Sequence, residues 1–161
     1  MPIVLFRLDE RLIHGQVVVG WGERMNFDRF IVVDDELSES LWEQELYCLG
    51  VPSSADAVFV DVATAKDSLS EWKDDPRRLV ILIRNVETLA RLGEGDRLRG
   101  LEINLGGVHH APGRELLLPY LFLSHAELDS LRKVEQAGSR VVARDLPGAR
   151  SVPLSDLLSD A

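Results

Sequence analysis

Short, almost uninterrupted apolar runs recur along this chain, and their spacing limits the fold more than any other feature. Ile3–Leu8, residues 30–33 and 57–60, Leu79–Ile83 and residues 101–105 are such runs, several of them rich in β-branched side chains. A strand wetted on one face alternates apolar with polar residues; these do not, so they suit strands covered on both faces, as in a parallel sheet. Residues 116–122 offer a sixth strand and Arg140–Ala143 a seventh. Between the runs lie helical patterns at 37–49, 63–72 and Val86–Leu92, and Ser124-His125-Ala126-Glu127 has the form of a capping box ahead of Leu128, Leu131 and Val134. Gly138 stands where that helix would end in a left-handed residue, and the pairs Pro112-Gly113 and Pro147-Gly148 read as turns. Strand alternating with helix predicts an α/β fold: a single open, mainly parallel sheet of about seven strands with helices on both faces. No repeat or linker divides the chain, so one domain over residues 1–161 is expected.

Charge and composition remove several functions. A net charge of −9 leaves no basic excess to displace counterions from a nucleic acid, although a local positive pocket for one small anion is still allowed. Cys48 is the one cysteine; it excludes an intramolecular disulfide and a cysteine metal cluster, and its apolar neighbours suggest a small core residue. No run of roughly 18 apolar residues occurs, and the N-terminus lacks a signal-peptide layout. The expectation is a cytoplasmic protein that reaches any membrane process by docking to other proteins.

Open α/β sheets bind ligands beyond the carboxyl ends of their strands. Here those ends carry Asp9, Asp34, Asp35, Arg84, Asn85, Asn104 and Gly106. The most informative stretch follows the first strand: Arg7-Leu8-Asp9-Glu10-Arg11-Leu12-Ile13-His14-Gly15-Gln16-Val17-Val18. It leads into a helix with Val17 and Val18 on its apolar face, which puts His14 and the Gly15 amide near a helix start that favours an anion. Arg11 can bring a planar fork to the same place. His14 supplies a nucleophile near neutral pH once an acceptor such as Asp9, or a loop carbonyl, holds its other ring nitrogen. Phosphoryl transfer asks a protein mainly for such positioning and charge stabilisation. A structural histidine in a turn, with Arg11 as a surface partner of Asp9 or Glu10, is the simpler alternative.

The string from Arg7 to Val17 resembles the N-terminal signature of the IIB component of the mannose/fructose/sorbose-type phosphoenolpyruvate-dependent sugar phosphotransferase system. The likeness continues through Trp21, Ile31-Val32-Val33-Asp34-Asp35-Glu36, Asn85, Asn104-Leu105-Gly106-Gly107 and the helix from Glu127 to Gly138 with the strand after it. That resemblance implies that His14 accepts a phosphoryl group from a phosphohistidine on a separate IIA protein and passes it to a sugar carried by membrane IIC and IID components. It implies phosphate stabilisation by Arg11, with Asp9, Gly15 and Gln16 in the same loop, and it calls for no cofactor or metal. His109-His110 departs from the family pattern and reads as a polar loop near the rim, or less simply as a metal ligand set with His14; His125 reads as a surface residue. Two rivals share the site: a regulatory phosphorelay protein of an incomplete system, and a non-catalytic anion-binding module. Trp42, Trp72 and Tyr120 could serve the core or a homodimer interface.

Overall fold

The computed structural model of the chain describes residues 3–159; the expected domain limits, Met1 and Ala161, lie outside them. Its strands are β1 (Ile3–Leu8), β2 (Arg29–Val33), β3 (Asp56–Val60), β4 (Leu79–Ile83), β5 (Glu102–Leu105), β6 (Glu115–Leu118), β7 (Leu121–Leu123), β8 (Arg140–Ala143) and β9 (Val152–Pro153). The helices are α1 (Gly22–Met25), α2 (Leu41–Cys48), α3 (Val62–Asp74), α4 (Val86–Leu92), α5 (His125–Gln136) and α6 (Leu154–Ser159).

Seven strands form one sheet in the order β3-β2-β4-β1-β5-β8-β9, parallel throughout except where β9 runs against β8. β4 is buried along its whole length, and its residues divide between two cores. Leu79, Ile81 and Ile83 join the larger one with Leu89, Leu128 and Leu131 from α4 and α5. Val80 and Leu82 join the smaller with Val17, Trp21 and Phe30. This is the two-faced burial that a continuous apolar strand requires.

Polar residues at strand ends start the helices. The Asp61 carboxylate accepts from the Thr64 amide and Asn85 from the Thr88 amide. Ser124 and Glu127 close a reciprocal capping box on α5. Gly138, at φ 114°, turns the chain from α5 into β8, a conformation that a Cβ would strain.

Four sequence expectations are corrected. Residues 116–122 are not one strand of the main sheet but belong to a separate antiparallel hairpin, β6-β7, turned at Pro119-Tyr120. The seventh strand of the sheet is β9, two residues long and containing a proline, which leaves no apolar run to read. The pattern at 37–49 breaks at Ser40 (φ −115°, ψ 90°), separating a 3₁₀ turn at Leu37–Glu39 from α2. Cys48 is exposed rather than in the core. Of the three aromatic residues in question, Trp72 and Tyr120 pack half-buried on the larger core, while Trp42 is exposed.

Removing the cap should test the α5 assignment. Ser124→Ala is expected to lower the free energy of unfolding by about 1 kcal/mol, read from urea denaturation, whereas Ser124→Thr should stay near the parent value.

Candidate functional site

The site is assembled around the Asp9 carboxylate, which follows β1 directly and is wholly buried. Its Oδ1 accepts from the backbone amide of Arg11 at 3.0 Å and from Arg11 Nε at 3.1 Å. Its Oδ2 accepts from Arg11 Nη2 at 3.0 Å and from the Gly107 amide at 3.1 Å, with Arg7 Nη2 at 3.5 Å. His14 Nε2 lies buried 3.3 Å from the same oxygen. Burial alone would raise the Asp9 pKa. The contacts with His14 and Arg11 and the amides of Arg11 and Gly107 outweigh it and hold the carboxyl far below the usual range.

The partners come from three parts of the fold: Arg7 from β1, Arg11 and His14 from the loop after it, and Gly107 from the loop after β5. The Arg7 side chain alternates with Phe6 and Leu8 along β1 and so points toward the smaller core, fully buried. It donates to Asn104 Oδ1 on β5, to the Arg144 carbonyl at 2.7 Å and to the Asp145 carbonyl at 3.0 Å. Its guanidinium also lies over the Trp21 ring, 5.1 Å from the centroid. Trp21 Nε1 donates to the same Asp145 carbonyl at 3.1 Å. Gly106 is where backbone must pass this cluster: an added Cβ would stand 2.5 Å from Asp9 Oδ2 and 2.6 Å from Arg7 Cζ.

The loop from Asp9 to Gly15 carries the reactive groups. Leu12, buried, sits at φ 55°, a left-handed conformation unusual for a bulky residue and typical of strain held at functional sites. Beyond it the chain enters a π-helix, Gln16–Trp21, with Val17 and Trp21 buried; such widened turns favour functional sites. Among the described residues, the amides of Gly15 and Gln16 donate to no acceptor. Gly15 is exposed. Arg11 Nη2 donates to Gln16 Oε1 at 2.8 Å, and the Gln16 amide nitrogen has no partner among the described residues. Arg11 Nη1 has no partner among the described residues, and 36% of that side chain is exposed. The Nε2 of His14 is buried, so Nδ1 is the ring nitrogen that reaches the surface.

The structure therefore brings Asp9, Arg11, His14, Gly15, Gln16, Asn104 and Gly106 together. The other rim residues have structural work: Asp34 pairs with Arg84 at 2.7 Å and caps the Leu37 amide, Asp35 ties Val62 to Arg91, and Asn85 caps α4. His109 lies at the edge, its Nδ1 2.6 Å from Glu10, while His110 rests edge-on against Phe122. His125 is exposed near Glu115. The role of Arg7 escaped sequence reasoning, although a charged residue interrupting a buried strand was its signal. The Gly107 amide and the Arg144 and Asp145 carbonyls are backbone groups and left none.

The chain is thus an open, mainly parallel α/β sheet with an imidazole, a carboxylate and two guanidiniums gathered at the end of its first strand. A family described as the PTS system sorbose subfamily IIB component matches residues 3–161, and the chain belongs to it. It is 28% identical over 159 residues to the mannose-specific EIIAB component of Escherichia coli K12, covering 99% of this chain and 49% of that protein. The chain thus spans about half the length of that relative. Over 156 residues it is 28% identical to the N-acetylgalactosamine-specific IIB component 1 of the same organism, covering 96% and 97% of the two chains. Its fold matches the crystal structure of manxB from Thermoanaerobacter tengcongensis with a TM-score of 0.84 at 27% identity, over 98% of this chain and 95% of the other. Among the described residues, no helix is long and apolar enough to cross a membrane.

Asp9→Asn leaves two guanidiniums without their buried counter-charge and is expected to destabilise the protein by about 3 kcal/mol at pH 7. A depressed folded-state pKa stabilises fully above the ordinary carboxylate pKa and loses that contribution as pH falls toward the folded value. The deficit of Asp9→Asn should therefore shrink below about pH 4, as followed by denaturation at stepped pH.

Proposed function

We propose that the chain acts as a single IIB domain that carries a phosphoryl group on His14 Nδ1. The group comes from a phosphohistidine on a separate IIA protein and goes to a sugar moved by membrane IIC and IID components. The observation that carries this reading is the division of the imidazole: Nε2 faces the buried Asp9 carboxylate while Nδ1 reaches the surface. A proton on Nε2, facing Asp9, leaves the Nδ1 lone pair free to attack. The donor's N–P bond breaks as the Nδ1–P bond forms; a donor ring protonated on its other nitrogen leaves as neutral imidazole, and the positive charge passes to the His14 ring, which keeps its Nε2 proton. Passing the group to a sugar hydroxyl breaks the Nδ1–P bond, forms an O–P bond, restores the neutral ring and releases the hydroxyl proton to solvent.

The surrounding donors suit the equatorial oxygens of a transferring phosphoryl group. The unengaged Nη1 of Arg11, the unpartnered amide nitrogen of Gln16 and the Gly15 and Gln16 backbone amides are all available without breaking an existing bond. Asp9 orients the ring and balances the arginines. The protein would work in the cytoplasm, held at the membrane by docking, and sugars are the substrates named for its relatives.

Supplied with its phosphorylated IIA protein, the chain should gain an acid-labile, base-stable adduct detectable by mass spectrometry, and His14→Ala should abolish it while retaining the fold. Normal labelling of that variant would refute the assignment. Nitrogen-15 and phosphorus NMR of the adduct should place phosphorus on Nδ1; a signal from Nε2 would overturn the proposed ring orientation. Arg11→Lys keeps the charge but loses the fork, and should slow single-turnover transfer about tenfold, a loss of about 1.4 kcal/mol of transition-state stabilisation. An unchanged rate would rule out a role for the fork.

A further inference from the structure

α2 contains no buried residue, although large apolar side chains make up much of it. Trp42, Leu46 and Leu49, spaced i, i+4, i+7, form a stripe that points to solvent, with exposures of 65%, 56% and 84%. An amphipathic helix normally turns such a stripe into the core. Here it borders a groove of about 420 Å³ lined by Ile13, Trp42, Glu43, Leu46, Tyr47 and Gly50. Ile13 precedes His14 in the chain, so the groove ends one residue from the proposed phosphoryl carrier.

The charge around this face is equally one-sided. Between Phe30 and Ala65 the sequence has eight acidic residues and no lysine or arginine; Asp34, Asp35, Glu36 and Asp56 pair with arginines from elsewhere in the fold, which leaves Glu39, Glu43 and Glu45 to charge this face. Glu39 and Glu45 are exposed and Glu43 is half-buried in the groove wall. A second copy of the chain placed face to face would set these acids against their equals. The anionic cytoplasmic leaflet would repel the same face, turning it away from the membrane. A partner that arrives by diffusion at every turnover gains most from such a field, through electrostatic steering.

We infer that the Trp42–Leu46–Leu49 face is the landing surface for the protein that brings the phosphoryl group to His14, a partner with an apolar centre and a basic rim. The inference rests on the carrier reading of His14 and names the partner of that site. Trp42 is the anchor expected to bury most on docking, and the acids speed and orient the encounter without touching the reacting atoms.

The test compares two phosphoryl donors on the parent protein and on the variant with both Trp42→Ala and Leu49→Ala. Phosphorylated IIA protein needs the landing surface; phosphoramidate, a small donor, does not. The double variant should lose about tenfold or more in the second-order rate from IIA protein, with phosphoramidate labelling of His14 and the unfolding temperature unchanged. Glu43→Lys with Glu45→Lys should lower the IIA rate and weaken its dependence on salt. An unchanged IIA rate in the apolar variant would overturn the inference. So would a loss confined to transfer from phosphorylated His14 to sugar through the membrane components, or a parent dimer in sedimentation that Trp42→Ala dissociates. Failure of both donors to label His14 in the parent would instead refute the carrier reading itself.

Discussion

The buried carboxylate of Asp9 is the interaction on which the rest of the site depends. Two guanidiniums, an imidazole and two backbone amides converge on it, drawn from β1, the loop that follows it and the loop after β5. An ion this deep is tolerated only when its lone pairs are satisfied, and the surrounding donors do so. With Arg7 and Arg11 cationic and Asp9 ionised, the three groups sum to one positive charge beneath the ring. Such a balance invites one small anion, even though the protein as a whole carries −9.

The sheet order explains how these groups meet. β1 lies between β4 and β5, so the loops after β1 and β5 emerge side by side at the carboxyl edge. Gly106 and Gly107 follow β5 there. The first yields the space that Arg7 and Asp9 fill, and the second supplies the amide that Asp9 accepts. Arg7 then reaches on to the Arg144 and Asp145 carbonyls beyond β8. Three neighbouring strand ends are thereby tied to one guanidinium, which lets a short loop hold His14 in a fixed attitude.

Much of this was legible in the sequence, for physical reasons that differ by element. Strands β1 to β5 and β8 announced themselves because burial on both faces demands continuous apolar residues, and α5 because its capping box is a side-chain signal. β9 did not, since two residues and a proline make no pattern. The 37–49 region misled because Leu37 and Leu41 keep helical spacing across a break at Ser40 that spacing cannot register. Cys48 reads as core because its neighbours are apolar, yet Leu46 and Leu49 are themselves exposed and only Tyr47 packs on the smaller core. At the site, Asp9, Arg11 and His14 were readable from their chemistry and order. Arg7 required knowing what packs above β1, and the backbone partners required coordinates.

The arrangement also bears on how a carrier can both hold and release its cargo. Two unbalanced guanidiniums would bind a phosphoryl dianion strongly in the ground state, which slows departure as much as it favours arrival. Asp9 takes up much of that field. Arg7 is fully buried 3.5 Å from Asp9, while Arg11, paired with the same carboxylate through Nε and Nη2, keeps Nη1 and a third of its side chain open to the surface. Under the carrier reading, only that open edge is free to follow the phosphoryl group as it moves between donor, ring and acceptor. The buried charges set the electrostatic level of the site, and the open Nη1 edge of Arg11 is the part left to answer to the transition state.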